Sequence, residues 1–138
     1  MHIKHGLATV EPRAIQARMN VELVKEYRFE AAHRLPEVAP GHKCARLHGH
    51  SFKFEIHVAG PVDERTGWFI DYGVLDDVVM PLVARLDHYY LNEVEGLANP
   101  TSEVLARWLF ERIKPKIAAL VAVTLYETCD ARCIYRGA

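Results

Sequence analysis

Cysteine is scarce and odd in number. Three residues of this type cannot all pair within the chain, so no disulfide framework is expected, and the thiols stay available for chemistry or metal binding. No apolar run approaches the roughly 20 residues of a membrane span, and the amino terminus lacks the basic, apolar, small-residue order of a signal peptide. These absences lead us to expect a cytoplasmic protein. There is also no excess charge of one sign. With 17 Lys plus Arg against 18 Asp plus Glu, the chain has no basic field to draw in nucleic acid or an anionic membrane, and neither is expected as a partner. No repeat or low-complexity tract appears. Half the residues are apolar and a quarter charged, which with a length of 138 residues suits a single globular domain spanning 1–138.

What the chain does have in excess is histidine, with eight residues, and their placement follows the local pattern. Residues 1–19 carry Pro12 and several basic residues without clean periodicity, and read as an N-terminal extension. From Val21 onward Leu23, Tyr27, Phe29, Ala31 and His33 share one parity while Glu22, Glu26, Arg28 and Glu30 share the other, a half-buried strand. Residues 34–47, with Pro36, Pro40 and Gly41, form a long connection of a length that in a compact domain is usually functional or disordered. A second strand puts His48, His50, Phe52, Phe54, Ile56 and Val58 on one face. Ser51, Lys53, Glu55 and His57 lie on the other.

After the turn residues Gly60, Pro61, Asp63 and Gly67, Asp71 is placed to cap a helix through Val74, Leu75, Val78, Val79, Leu82, Val83 and Leu86, which Pro81 should bend. Asn99 and Pro100 suit the cap and first turn of a second helix carrying Val104, Leu105, Trp108, Leu109 and Ile113. Alternation returns through Val121, Val123, Leu125 and Glu127, and a last extended piece runs from Cys133 to Arg136. The order strand, strand, helix, helix, strand, strand predicts an α+β domain: an antiparallel four-stranded sheet with both helices packed on one face.

In such a sheet the end of the first strand lies beside the start of the second, so His33 meets His48 and His50 on one side. Three imidazoles with an open fourth position are the donor set of catalytic zinc, where a water or substrate oxygen completes the tetrahedron. Three unpartnered imidazoles at adjacent apolar sites would each bury a polar nitrogen at a cost of about 1 to 3 kcal/mol. His57, on the polar parity, and His2 and His5, on the extension, read as solvated surface groups. Cys44, four positions before His48, places a thiol beside the proposed metal as a proton acceptor, a fourth ligand or an inert loop group. Cys129 and Cys133 read as structural. Asp87-His88 follows the first helix, where a carboxylate and an imidazole either orient one another for chemistry or form a surface pair. Glu127 ends an apolar face, where a carboxylate needs partners, such as the paired N–H groups of a guanidine-like ring edge, a helix cap or a salt bridge.

The string Cys44-Ala45-Arg46-Leu47-His48-Gly49-His50-Ser51-Phe52, preceded by Phe29-Glu30-Ala31-Ala32-His33-Arg34-Leu35, resembles the tetrahydropterin synthase family. Within that family it is similar to the 6-carboxy-tetrahydropterin synthase branch of queuosine biosynthesis. Leu86-Asp87-His88, Leu91-Asn92, Asn99-Pro100-Thr101-Ser102-Glu103, Glu127-Thr128-Cys129 and Cys133-Ile134-Tyr135-Arg136-Gly137 extend the likeness from about Val21 to the end. The resemblance implies a tunnelling fold in which subunit sheets join into a barrel, a homohexamer built as a dimer of trimers, and active sites between subunits. It implies Zn²⁺ at His33, His48 and His50, Cys44 as proton acceptor with Asp87 and His88 completing its relay, and Glu127 as anchor of the pterin's amino-pyrimidine edge. The substrate it implies is 7,8-dihydroneopterin triphosphate, converted to 6-carboxy-tetrahydropterin with loss of acetaldehyde and triphosphate. Three residues between Cys44 and His48 favour this branch over the 6-pyruvoyl-tetrahydropterin synthases, which usually carry a longer insertion there. Ala45 departs from the Gly usual after the cysteine, and the extension has no family counterpart. Arg34 and Lys43 are candidates for the triphosphate.

Overall fold

A computed structural model of the chain describes residues 19–138, so the extension, with His2 and His5, lies outside the described residues except for Met19. Strands β1 (Asn20–His33) and β2 (His48–Pro61) form the predicted antiparallel hairpin in unbroken register. Period-two patterning sets that register. Phe29 faces Phe52 with rings stacked at 5.0 Å, and Tyr27 faces Phe54 at 5.3 Å, so cross-strand aromatic pairs line the covered face.

Helix α1 (Tyr72–Leu86) starts at Asp71, whose side chain accepts the N–H of Gly73 at 2.9 Å, and it buries Leu75, Val79, Leu82, Val83 and Leu86. It continues through Pro81, which lies on the exposed side, while Val74 is left half in solvent. Helix α2 (Ser102–Ile113) is capped by Thr101, whose hydroxyl accepts the N–H of Val104 at 3.1 Å. The expected cap, Asn99, stands two residues too early. Pro100 is buried, and its carbonyl is taken by His33. Strands β4 (Leu120–Tyr126) and β5 (Arg132–Tyr135) complete the fold, with α1 over β1 and α2 over β4 and β5.

The sheet has five strands rather than four, because a short strand β3 (Tyr89–Tyr90) joins it in the order β3-β1-β2-β4-β5, and it is mixed rather than purely antiparallel. The added strand β3 is only Tyr89–Tyr90, parallel to β1 at Ala31 and Ala32. Two residues carry no readable period, so pattern alone could not mark them. His88, with φ of 64°, turns the chain out of α1 and onto the edge of β1. The otherwise α+β architecture matches expectation: two helices on one face of an open sheet.

The face without helices is not simply solvated. His57 keeps only 18% of its side-chain surface, with Nδ1 2.9 Å from Glu22 and Nε2 2.9 Å from the hydroxyl of Thr124. It is therefore not the solvated group that its parity suggested. The reason is that β4 lies alongside β2, with Ala122 and Thr124 buried on that same face. Of the remaining cysteines, Cys133 packs against the core, where burial pushes its thiol pKa up, whereas Cys129 is exposed and holds nothing together.

Candidate metal centre and its surroundings

The hairpin register places His33 directly opposite His48, with Ala31 opposite His50. The three rings meet edge to face, with centroids 4.6 to 5.1 Å apart. His33 is fully buried. Its Nδ1 lies 2.9 Å from the carbonyl oxygen of Pro100, and Nδ1 of His48 lies 2.8 Å from that of Arg46. A carbonyl only accepts, so each Nδ1 carries the proton and each Nε2 presents a lone pair. Tying the outer nitrogen of an imidazole in this way is how metal ligands are oriented.

Glu127 joins them. Strand β4 runs antiparallel to β2, and past the pair Tyr126–Lys53 it carries the chain toward His50, so Glu127 arrives at the histidines just beyond the strand. Its Oε1 lies 3.0 Å from Nε2 of His50 and 3.6 Å from Nε2 of His33, and its Oε2 accepts the hydroxyl of Ser102 at 2.6 Å. The four donor atoms of His33, His48, His50 and Glu127 lie within 4.8 Å of one another. Burial pushes the pKa of both His33 and His50 down, which favours neutral rings.

The fit of a divalent cation can be judged on these atoms. Nε2 of His33 and Nε2 of His50 are both buried with no hydrogen-bond partner, despite the nearby carboxylate oxygen. Orphaned buried nitrogens that converge with an anionic oxygen are what a missing cation leaves behind, and nitrogen and carboxylate donors suit zinc. The residues fit the group.

The other expected site residues are placed but not all joined. Cys44 sits half-buried on a 3₁₀ turn, Lys43–Ala45, where Nδ1 of His42 accepts its N–H at 3.0 Å and its own carbonyl accepts the N–H of Leu35 at 2.8 Å. Asn92 pins the start of the same loop, accepting from the N–H of Arg34 and donating to its carbonyl. Asp87 and His88 form a pair, with Nδ1 3.0 Å from Oδ2. This pair is docked on β1: Asp87 accepts the N–H of Glu30 at 2.9 Å, and the His88 N–H donates to the carbonyl of Glu30. That backbone donor, followed by His88, pulls the carboxyl pKa of Asp87 down. Among the described residues no hydrogen bond joins Cys44 to either member of the pair. His88 instead borders an open cleft of about 520 Å³ with Glu30, Ala32, His50, Ser51 and Tyr90.

Sequence reasoning named Ser102, Asn92 and His42 at most as parts of longer strings.

The family model described as 6-pyruvoyl tetrahydropterin synthase matches residues 22–138. A 6-carboxy-5,6,7,8-tetrahydropterin synthase from Synechocystis is 42% identical over 119 residues, spanning 82% of this chain and 91% of that protein. One of the same name from Bacillus subtilis is 30% identical over 142 residues, spanning 94% of each. The solved structure of 6-pyruvoyl tetrahydropterin synthase from Caenorhabditis elegans superposes with a TM-score of 0.81 at 28% identity, covering 89% of this chain and 100% of that one. With the family model and these relatives matching over most of its length, the chain belongs to the 6-pyruvoyl tetrahydropterin synthase family of enzymes.

Proposed function

We propose that this protein is a zinc-dependent, cytoplasmic 6-carboxy-5,6,7,8-tetrahydropterin synthase of queuosine biosynthesis, a single domain carrying residues 1–19 as an extension. The observation that carries this reading is the pair of orphaned imidazole nitrogens converging on one point in a chain whose relatives bear that name. His33, His48 and His50 would hold the metal. When bound there, zinc supplies Lewis-acid polarisation of the side-chain oxygens of 7,8-dihydroneopterin triphosphate.

The chain's own residues do the rest. Glu127 accepts two parallel hydrogen bonds from the amino-pyrimidine edge of the pterin, which fixes the ring and presents the side chain to the histidines. Cys44 takes protons from the side-chain carbons, and the Asp87–His88 pair moves protons onward, Asp87 stabilising the charge that His88 gains. Arg34 and Lys43, on the loop before β2, are placed to meet the triphosphate. No hydrogen bond joins Cys44 to the Asp87–His88 pair among the described residues, and on this reading the relay closes between neighbouring subunits. The open edge of β1 before Ala31 and that of β5 are where the sheets of a trimer would continue into a barrel, two trimers making the hexamer.

The test is turnover of 7,8-dihydroneopterin triphosphate by the zinc-loaded protein, with pterin products identified by mass and acetaldehyde assayed. A carboxy-pterin with acetaldehyde is the expected result. A 6-pyruvoyl product would move the protein to the activity for which the family is named, and no reaction would leave a pterin-binding zinc protein.

A further inference from the structure

The position of Glu127 is at odds with a role confined to anchoring the pterin. Its Oε1 points at two imidazole nitrogens 3.0 and 3.6 Å away, and His50 makes no hydrogen bond to it. Nε2 of His33, whose proton is held on Nδ1 by Pro100, presents a lone pair to this anionic oxygen, an opposition that a cation between them would relieve. The orientation is not accidental, because the hydroxyl of Ser102, the first residue of α2, holds the other carboxylate oxygen at 2.6 Å. Oε1 is thereby aimed at the histidines.

Resting on the zinc-synthase reading above, we propose that Glu127 is the fourth metal ligand of the substrate-free enzyme. Ser102 is the positioning residue that holds it there, and the arriving pterin draws Glu127 off the metal. The same carboxylate cannot fully serve the cation and the paired N–H groups of a pterin edge. Two features permit the exchange. Glu127 lies in the bend after β4, outside the ladder, with a quarter of its side chain exposed. On its far side, lined by Ser102, Glu103, Thr128, Arg132 and Cys133, is a cleft of about 410 Å³ into which the carboxylate can turn. The metal is then closed to solvent anions in the empty enzyme and opens when a pterin is seated. By linkage, a pterin that lacks side-chain oxygens binds the metal-free enzyme more tightly than the loaded one.

The test uses the full chain loaded with Co²⁺ for visible spectra and titrated with Zn²⁺ for affinity, with azide as the probe of an open position. Wild type should give a four-coordinate Co²⁺ spectrum that millimolar azide leaves unchanged. Glu127→Gln should bind Zn²⁺ at least tenfold more weakly and show a spectrum that azide alters. Ser102→Ala should lose a few-fold in affinity and gain partial azide sensitivity, and Ser102→Thr should restore both. If the Gln variant fails to fold, Glu127→Asp, shorter by one methylene, carries the same expectation. Azide sensitivity in wild type equal to that of the variants, with Zn²⁺ affinity within twofold throughout, would overturn the proposal. His48→Ala separates the two levels: undiminished zinc binding there would remove the three-histidine site itself, and the fourth ligand with it.

Discussion

A histidine whose outer nitrogen is tied to a carbonyl has one lone pair left to offer, and the buried His33 and the half-buried His48 are both in that condition. Burial holds His33 and His50 toward the neutral form, so a cation gains three ready donors, and without one the donors stay desolvated. Chelation should therefore lower thermal stability. A ligand that binds only the folded state at about 1,000 times its dissociation constant contributes roughly 4 kcal/mol. In a domain of this size that is on the order of 10 °C in melting temperature, read by calorimetry with and without chelator. His48→Ala should abolish the difference, and a variant that still gains from zinc would refute its role as ligand. Cys44 is a different kind of residue, with its backbone locked by His42 and Leu35 and its side chain free of structural duty. Cys44→Ala should keep metal content and melting temperature and lose turnover by about 100-fold or more, the range of a general base. Full activity would disqualify it as proton acceptor.

Between elements, the sheet is joined to the first helix at Asp76: the hydroxyl of Tyr27 in β1 donates to Asp76 in α1 at 2.8 Å, and Lys25 lies 3.3 Å from the same oxygen. Burial, then the bond and charge of Asp76, push the phenol pKa of Tyr27 far above its usual value near 10. The sign follows from linkage. The unfolded chain releases this proton near pH 10 and the folded one does not, so the stabilisation is complete below about pH 10 and is lost as pH rises beyond it. Tyr27→Phe should cost about 1 kcal/mol at neutral pH and shallow the alkaline fall. Melting curves from pH 8 to 11 would show it, and parallel profiles for both proteins would refute the assignment. At this scale much was legible in the sequence. Strict alternation from Tyr27 to His33 and from His48 to Val58 gave the hairpin, and with it the meeting of three histidines. What escaped is non-periodic or non-local: the two-residue strand after His88, the cap shifted to Thr101 because Pro100 serves His33, and His57, whose cover comes from β4, 67 residues away at Thr124.

For the molecule as a whole, the sheet ends in edges that a solitary subunit leaves open. Cys44 stands with the histidine hairpin, and Asp87–His88 is bolted to β1 at Glu30. If neighbouring subunits complete each other, Cys44→Ala and His88→Ala are each inactive alone. Mixed, dissociated and reassembled, they should recover activity, because some sites then carry an intact Cys44 from one chain and an intact His88 from another. Absence of recovery in confirmed mixed oligomers would confine the relay to one chain. The barrel and the hexamer are expectations that rest on family likeness alone, since symmetry leaves no mark on the hydrophobic period of a single strand.

The register that puts His33 against His48 also bears on the order of folding. The chain between them forms the loop of the hairpin, and the two histidines at its base are the first rung of the ladder that ends with Asn20 against Pro61. A cation captured early by His48 and His50, which are two residues apart, needs only to recruit His33 to close that loop. Loop closure is the entropic step that nonlocal strand pairing must complete before any contact repays it. A metal held by these residues would thus also pin the base of the two longest strands, and on the zinc-synthase reading zinc present during folding should speed assembly of the hairpin.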